Sequence, residues 1–579
     1  MPGTVEEPLP TSKKVQEPID IEKIFHYTDL DTPRATRVED PYDYQWGWGN
    51  RFQSEIIPGT LPVAQNHPQV PRFNLYTEGL TSSAFAASRA ANASTYMYRC
   101  RPSVANHGFQ DGVFASRAHV ESCFLSVNSK VKMNPAQIEW APFDLPQEGE
   151  EVDFVDGLHT LGGSGDASIR DGLALHVFMI NARMTRRAFL NGDGEFLIVA
   201  QLGNLDIQTE MGKIYLQPGE ICVIPRGIKF CLNPADGTRE ARGYILEVWG
   251  SRFELPDLGP IGGYGNANVR DFAYPVAYMD DPEDLHQQWH IVEKINGEYH
   301  VLMQDHSPFD VAAWHGNCLP YKHAGLADRV SQLQYDMTKF VAQGSTSVDH
   351  TDPSVWTLLT ARSRDPNVPL VDFIWFGPRW DVAMNSFRLP YFHRNSASEF
   401  IANIYGASGG RSANFRPGGG VYEAGHTAHG GFGDIYVMER RKKRNEPRIL
   451  FQGMMTFMIE SSRSLLFTEW SREHSTNDAT PPEVWDTVPD QFSTDPKVRA
   501  LLQRVKKQKA ERKAEDEAYY DDERIQQLLS KVTVVEQNGT GAVNGTSEHE
   551  SAPEQNGTGA INGASEHEAA QAIPLGIEV

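Results

Sequence analysis

Residues 391–400 read YFHRNSASEF and place a histidine, His393, six positions before a carboxylate, Glu399. Two more histidines, His426 and His429, follow in the glycine-rich stretch RPGGGVYEAGHTAHGG. Two imidazoles and one carboxylate can form the facial triad that binds non-haem Fe(II) and leaves positions open for O2 and a chelating substrate. The even spacing predicts that His393 and Glu399 lie on one face of a strand. The spacing alone also fits surface or hydrogen-bonded polar side chains.

A second candidate for chemistry is His315, which follows a tryptophan and precedes a Gly-Asn pair in the string AWHGN. This context predicts a tight turn that holds the imidazole near aromatic rings. Histidine titrates near neutral pH, so the residue suits the role of a general base. A buried, hydrogen-bonded structural histidine is the alternative interpretation.

The elements that must position these residues are predicted to be β-strands. Short β-type runs separated by turns extend from about residue 44 to about residue 480. The clearest example is 195–232, whose runs are separated by glycine-containing turns. Regular short strands with such turns indicate a sandwich or a barrel. We therefore predict a mainly β protein.

One turn in this block resembles the cupin motif G-x5-P-x-G-x2-H, whose last histidine is a metal ligand. The string GEICVIPRGIKF has the same spacing but ends in Phe230, and no histidine occurs between His176 and His286. We therefore expect an N-terminal barrel that holds no metal, with an ordinary β turn as the alternative.

The composition bounds the compartment and the partners. A chain of 579 residues exceeds one typical core, so two or more domains are expected. A net charge of -23 disfavours nucleic-acid and anionic-membrane partners, and the short basic run at 439–444 is interpreted as a solvated loop. No apolar run reaches the roughly 18 residues of a membrane span. Scattered cysteines without a CxxC pair favour a reducing compartment, so we expect a cytoplasmic protein.

The two ends of the chain differ from this body. Residues 1–43 form a polar leader that we expect to be flexible. Residues 484–532 are predicted to be a charged and largely solvated helical extension. In the tail at 533–579, the sequence 536–550 repeats as 554–568, which is too short and too polar for a packed repeat unit. We expect this tail to be disordered.

Longer stretches of the sequence indicate a protein family more specifically than these short motifs do. Seven of them occur in an order that resembles the homogentisate 1,2-dioxygenase family, and the resemblance covers about residues 44–480. The strings are YQWGWGN (44–50), HPQVPRFNLYTEGLTSSAF (67–85), VDFVDGLHTLGGSGD (152–166), RGYILEVWGSRFELPDLGPIG (242–262), SPFDVAAWHGN (307–317), PYFHRNSASEF (390–400) and MTFMIESSRSLL (455–466).

The resemblance implies two cupin-like β-sandwich or barrel domains. The first, at 44–322, would contain the metal-free barrel, and the second, at 323–483, would bind iron. The resemblance also implies a homo-hexamer that is built as a dimer of trimers.

The resemblance also implies roles for particular residues. The family's HRNxxSEF string supplies two Fe(II) ligands, which fall here on His393 and Glu399. A histidine before a glycine in a later loop supplies the third ligand, which falls on His429. The arginine and asparagine after the first ligand, here Arg394 and Asn395, would line the substrate site.

The implied reaction converts homogentisate, a small aromatic acid, and O2 to maleylacetoacetate in tyrosine and phenylalanine catabolism. The histidine of the family's WHGN string, here His315, would remove a proton from a ring hydroxyl and raise the electron density of the ring. Fe(II) would serve as template and as electron conduit.

Two positions depart from the family pattern. Ser408 stands where the family has a tyrosine, and Glu423 stands where it has a histidine. Tyr405 and His426 lie nearby and are included, with Glu423, among the expected substrate-binding residues. The insertion at 325–345 also lengthens the chain. We therefore expect an intact iron centre with an altered substrate pocket.

Three hypotheses for function follow. The first is an authentic homogentisate ring-cleaving enzyme. The second is a paralogue with the same iron chemistry on another hydroquinone or on a catechol. The third is an inactive relative kept for binding or assembly. The retained triad and His315 argue against the third, because an inactive protein has no need of these four side chains.

Overall fold

The computed structural model describes residues 38–110, 119–258, 267–323, 356–365, 367–377, 379–381, 383–387, 391–406, 412, 414–442, 446, 448–451, 454–476, 481–520 and 523–537. Most of the predicted leader, the insertion at 325–345, Ser408 and the repeat beyond 537 lie outside the described residues. The chain divides into two compact units, 1–489 and 490–579.

Strands dominate the first unit. The strands up to residue 254 are β1 (Tyr44–Trp46), β2 (Phe52–Glu55), β3 (Tyr76–Thr81), β4 (Ser94–Arg99), β5 (Phe109–Gln110), β6 (Cys123–Phe124), β7 (Val131–Met133), β8 (Ile138–Trp140), β9 (Leu158–Asp166), β10 (Asp171–Ile180), β11 (Arg187–Asn191), β12 (Glu195–Leu202), β13 (Leu205–Thr209), β14 (Gly212–Leu216), β15 (Ile221–Ile224), β16 (Lys229–Pro234), β17 (Ala241–Trp249) and β18 (Phe253–Glu254).

The strands that follow are β19 (Phe272–Pro275), β20 (Trp289–Ile295), β21 (Glu298–Gln304), β22 (Val311–Gly316), β23 (Tyr321–His323), β24 (Trp356–Arg362), β25 (Pro369–Phe376), β26 (Arg379–Asp381), β27 (Ser398–Tyr405), β28 (Gly420–Glu423), β29 (Arg448–Leu450), β30 (Met455–Ser461) and β31 (Leu466–Thr468). The helices among the described residues are α1 (Phe154–Gly157), α2 (Gly433–Arg441), α3 (Glu469–Glu473), α4 (Pro496–Tyr520) and α5 (Glu523–Gln537), and short 3-10 turns occur at Arg72–Asn74, Ala167–Ile169, Val269–Asp271 and Pro482–Trp485.

Three large sheets build the first unit. The largest runs β1-β19-β23-β15-β12-β17-β10-β9-β31-β7, with β6 paired to β9. A second sheet runs β14-β13-β16-β11-β20-β21-β5, and a third runs β18-β24-β25-β30-β27-β28-β8. Smaller sheets have the orders β2-β22-β4-β3 and β26-β29. The prediction of a mainly β fold with a C-terminal helical extension is confirmed.

The sheets share one hydrophobic core. Leu173 of the first sheet, Phe189 of the second and Phe373 of the third are fully buried in the same cluster of apolar side chains. Phe230, at the position of a cupin metal ligand, is also fully buried there. Its ring centroid lies 5.7 Å from that of Phe154 and 5.6 Å from that of Phe189.

A charged cluster lies inside the N-terminal half. The Lys294 ammonium is fully buried and donates to Asp193 Oδ2 at 2.6 Å and to both Glu247 oxygens at 2.9 Å. His176 Nε2 lies 3.1 Å from Glu247 Oε2. These bonds tie β20 to β10 and β17, because a buried charge needs an opposite charge and hydrogen bonds in place of water.

Strands cross between the two halves of the unit. β8, from the N-terminal half, pairs with β28 through Tyr422 and Ile138 and through Gly420 and Trp140. β31, from the C-terminal half, pairs with β7 and β9 in the largest sheet. The predicted division at residues 322 and 323 stays a prediction, and the exchanged strands show that both halves contribute to each other's sheets.

The second unit contains helices α4 and α5. The charged extension at 484–532 is thus helical over Pro496–Tyr520 and again from Glu523, and α5 continues through 533–537, which were assigned to the tail. Ion pairs spaced i,i+4, such as Lys507 with Glu511 at 3.7 Å, lie on the exposed surface of α4. Among the described residues, no helix is both long and apolar enough to cross a membrane.

Candidate metal centre

Two loops and one strand bring the predicted ligands together. Glu399 is the second residue of β27, and the loops before β27 and after β28 carry His393 and His429. The N–H of His393 donates to the His429 carbonyl at 3.0 Å, and the N–H of His429 donates to the His393 carbonyl at 3.0 Å. This reciprocal pair fixes the two imidazoles side by side.

The prediction that one strand presents both His393 and Glu399 is wrong. β27 begins at Ser398, so His393 lies outside it. The intervening loop turns back to pair with residue 429, and this pairing rather than the alternation of a strand sets the position of His393.

The three side chains converge on one point. His393 Nε2 lies 3.8 Å and His429 Nε2 3.6 Å from the same oxygen, Glu399 Oε1. All three ligand atoms fall within 4.8 Å of one another. Atoms that each lie about 2.1 Å from a metal ion can be at most about 4.2 Å apart, and both distances to Glu399 fall within this limit. They are too long for hydrogen bonds and suit ligands around an ion.

The tautomers of both histidines are set by the backbone. His393 Nδ1 lies 2.8 Å from the Tyr391 carbonyl, and His429 Nδ1 lies 2.8 Å from the Thr427 carbonyl. A carbonyl accepts only, so each Nδ1 donates and each Nε2 is the ring nitrogen left to face the centre. This is the arrangement that metal-binding histidines require.

Electrostatics favour an ionised carboxylate at the centre. Burial opposes ionisation of Glu399, but His393 and His429 outweigh it and hold the pKa of Glu399 well below its usual range. Asn395 Nδ2 donates to Glu399 Oε1 and so orients the carboxylate. Glu399 raises the pKa of His393 in return.

Carboxylates line the sheet at the level of the centre. The register aligns Glu423 of β28, Glu399 of β27, Glu460 of β30 and Asp372 of β25 in one row. Burial, followed by the charges of Glu399 and Asp372, raises the pKa of Glu460 to about 7. Sequence reasoning missed Glu460 and Asp372. The sequence signal that could have identified them is a single carboxylate inside each of the buried runs MTFMIES and PLVDFIWF.

Glu423 is the member of this row nearest to His429. Its Oε2 lies 3.2 Å from His429 Nε2, and the side chain is buried. Gln137, immediately before β8, donates to Glu423 Oε1 at 2.7 Å. Gln137 was not predicted either, because it lies 286 positions away in the chain and no local pattern marks it.

The other predicted substrate-binding residues are more dispersed. Arg394 is exposed. His426 is also exposed, has a φ of 61° and donates its N–H to the Asn395 carbonyl at 2.7 Å. Tyr405 is buried at the other end of β27, six residues and roughly 20 Å along the strand from Glu399.

His315 lies in β22 rather than in a tight turn. Its ring stacks on Tyr96 with a centroid distance of 5.4 Å, as the prediction of nearby aromatic rings required. Its Nε2 lies 3.2 Å from Tyr98 Oη. Burial, and then the charge of Arg51, lowers the pKa of His315, so the ring is neutral near pH 7. The contacts found for His315 within the described part of one chain include none of the three triad residues.

Comparisons with known proteins cover almost all of the first unit. A family model described as "Homogentisate 1,2-dioxygenase N-terminal" matches 43–324, and its C-terminal counterpart matches 338–492. Homogentisate 1,2-dioxygenase of Homo sapiens is 44% identical over 436 residues, which are 75% of this chain and 92% of the relative. The Emericella nidulans protein of the same name is 41% identical over 434 residues, 75% of this chain and 91% of the relative.

A solved structure with a similar fold is much less similar in sequence. A deletion mutant of Bacillus subtilis oxalate decarboxylase is 10% identical, with a TM-score of 0.24, over 56% of this chain and 77% of that one. A similarity this low carries no argument about the reaction.

Proposed function

Because the chain belongs to the homogentisate 1,2-dioxygenase family and is a ring-cleaving dioxygenase, we propose that it uses Fe(II) and O2 to convert homogentisate to maleylacetoacetate. The product retains every atom of homogentisate and both oxygen atoms of O2. The reaction would belong to tyrosine and phenylalanine catabolism in the cytoplasm.

The observation that carries this proposal is the cluster of His393, Glu399 and His429. Two imidazoles and one carboxylate, converging with their donor atoms already oriented, fit a non-haem Fe(II) site with open positions. The bound ion would supply a Lewis acid and a path for electrons between the ring and O2.

The chain's own residues orient and expose the centre. Asn395 holds the Glu399 carboxylate, and the backbone holds both imidazoles. The His393 side chain is 23% exposed, whereas those of His429 and Glu399 are 7% and 8% exposed. A substrate would therefore approach from the side of His393.

His315 is proposed as the base that accepts a proton from a ring hydroxyl. Its neutral imidazole can do so near pH 7, and Tyr98 and Tyr96 hold its orientation. Replacing His315 by Gln should lower kcat while the iron content stays at one per chain. Full activity of H315Q would remove His315 from the mechanism.

We also propose, from the family resemblance, that the working assembly is a homo-hexamer built as a dimer of trimers.

A second candidate function is favoured by Glu423. A buried carboxylate beside His429 adds negative charge where a substrate would bind. This observation favours a paralogue that cleaves another hydroquinone, or a catechol, with the same iron chemistry.

The deciding experiment follows O2 uptake and ring opening together. The purified full-length chain is loaded with Fe(II) without O2, and homogentisate is then added with O2 while the ultraviolet absorbance of the opened product is recorded. We expect one O2 consumed for each ring opened. Iron bound at one per chain without turnover would overturn homogentisate as substrate and leave the second candidate.

A His393→Ala variant tests the ligand assignment in the same assay. It should lose iron and activity together, because a lone imidazole and a carboxylate hold Fe(II) weakly. A matched variant, His290→Ala, changes an exposed histidine of β20 and should keep both. Iron-dependent activity in H393A would show that the ligand set is wrong.

A further inference from the structure

Glu423 is held so that its charge faces the metal centre. Gln137 occupies Oε1 from the side of β8, and Oε2 lies 3.2 Å from His429 Nε2. Only 2% of the residue is exposed, so the carboxylate cannot turn into solvent. Backbone pairing with Glu399 in β27 and the pairing of β28 with β8 fix the strand on both sides.

The three predicted ligands do not need this carboxylate. The cluster whose ligand atoms lie within 4.8 Å of one another is formed by His393, Glu399 and His429, without Glu423. Glu423 instead lies next to His429, at the border of the centre, where a substrate bound to the metal would lie. Its carboxylate would therefore attract or repel the substrate group that binds on that side.

The net charge of the metal and its carboxylates limits which substrate group can bind beside Glu423. A divalent ion with Glu399 alone keeps one positive charge, whereas a divalent ion with Glu399 and Glu423 has none left. A ring diol that binds as a phenolate adds one negative charge, and a carboxylate side chain adds another. A carboxylate about 6 Å from Glu423 would be repelled strongly enough to lose on the order of 100-fold in affinity.

We propose that Glu423 makes this centre select a 1,4-dihydroxyphenyl substrate whose side chain is uncharged and ends in a hydrogen-bond donor. A hydroxyl group can donate to Oε2, whereas the acetate group of homogentisate can only accept. This inference rests on the proposed function, since it takes a ring diol bound at the metal as given. Homogentisate would remain a substrate, but a weakly bound one.

Equilibrium binding without O2 tests the inference apart from catalysis. The probes are homogentisate and its alcohol analogue, 2-(2-hydroxyethyl)benzene-1,4-diol, which match in ring and side-chain length. Titration calorimetry with the Fe(II)-loaded full-length chain gives Kd for each probe, and the ratio of acid Kd to alcohol Kd reports selectivity.

Three proteins are compared, namely the natural chain, Glu423→Gln and a matched control, Glu298→Gln. Glu298 is exposed at the start of β21, so its replacement removes one charge away from the buried carboxylate row. We expect the acid-to-alcohol ratio to fall by on the order of 100-fold in E423Q and to stay unchanged in E298Q. Glu423→His, the residue of the resembling family, should lower the ratio as well.

The outcomes separate this inference from the proposed function. An equal ratio in the natural chain and in E423Q, or an equal fall in E298Q, would overturn the selectivity of Glu423 while leaving the ring-cleaving activity in place. Loss of iron from E423Q would also overturn it, because Glu423 would then be a ligand of the metal. Binding of iron without binding of either probe would overturn the proposed function and the inference with it.

Discussion

At the scale of single residues, the centre depends on groups that do not touch the metal. Asn395 donates to Glu399, and two backbone carbonyls fix the imidazoles of His393 and His429. Such outer partners set the orientation and the basicity of the ligands. Loss of such a hydrogen bond should therefore weaken iron binding while the fold stays intact.

Replacement of Asn395 by Ala tests this dependence. Without its amide, Glu399 loses its orienting hydrogen bond, and the affinity for Fe(II) should fall by roughly 10- to 100-fold. Competition with a chelator of known affinity measures the change, and the thermal unfolding temperature serves as the control for folding. Unchanged iron affinity in N395A would show that the backbone pairing alone orients the site.

A second prediction at this scale concerns His159. It lies between the rings of His119 and Trp470, with centroid distances of 4.4 Å to each. Burial, and then the nearby His119 and His474, lowers the pKa of His159 to about 3. The folded value lies below the unfolded value of about 6.5, so the unfolded chain binds the extra proton as the pH falls.

The contribution of His159 to stability is therefore complete above about pH 6.5 and is lost progressively down to about pH 3, by up to about 1.4 kcal/mol per pH unit. His159→Phe keeps an aromatic ring in the stack but cannot take up a proton. Urea unfolding at several pH values should show a shallower loss of stability for H159F between pH 6.5 and 4. Parallel curves for the two proteins would contradict the assignment.

At the scale of elements, the buried ammonium of Lys294 ties β20 to β17 and to the turn between β11 and β12. Lys294→Met keeps most of the volume but leaves Asp193 and Glu247 without their cation. We expect a loss of about 3–5 kcal/mol in the free energy of unfolding, because uncompensated buried charges are costly. Denaturant titration measures it, and a loss below about 1 kcal/mol would show that other groups neutralise the two carboxylates.

The sequence predicted the secondary-structure elements better than the tertiary contacts between them. Periodic short runs with glycine turns indicated strands, and strands such as β10 and β17 are mostly apolar and buried along nearly their whole length. The string around His393 indicated a metal ligand. It did not show that a bridge to residue 429 positions that histidine, because backbone pairing between distant loops leaves no periodic trace.

The surroundings of the site were harder still to predict. Gln137 and Glu460 reach the centre only because β8 and β30 lie beside β28 and β27 in one sheet. Strand order depends on the whole packing arrangement, and the composition of a single strand does not contain it. Tyr405 illustrates the converse, since its closeness in sequence to Glu399 becomes a separation of roughly 20 Å along an extended strand.

At the scale of the whole molecule, every residue of the metal centre belongs to the first unit. The repeat beyond Gln537 is polar and contains few side chains that could be buried. A chain that ends at Gln537 should therefore bind iron at one per chain and cleave substrate at the rate of the full chain. Parallel steady-state assays check this, and a large fall in kcat would show that the repeat takes part in assembly or catalysis.

The exchange of β8 and β31 between the halves has a consequence for biosynthesis. Gln137 and Ile138 leave the ribosome long before Glu423 and Tyr422, the partners with which they pair. The sheet that carries Glu399 therefore cannot close until translation has passed β30, and until then its early edge strand must wait unpaired. Neither half would fold when expressed alone, whereas two fragments produced together in one cell could find each other and rebuild the centre.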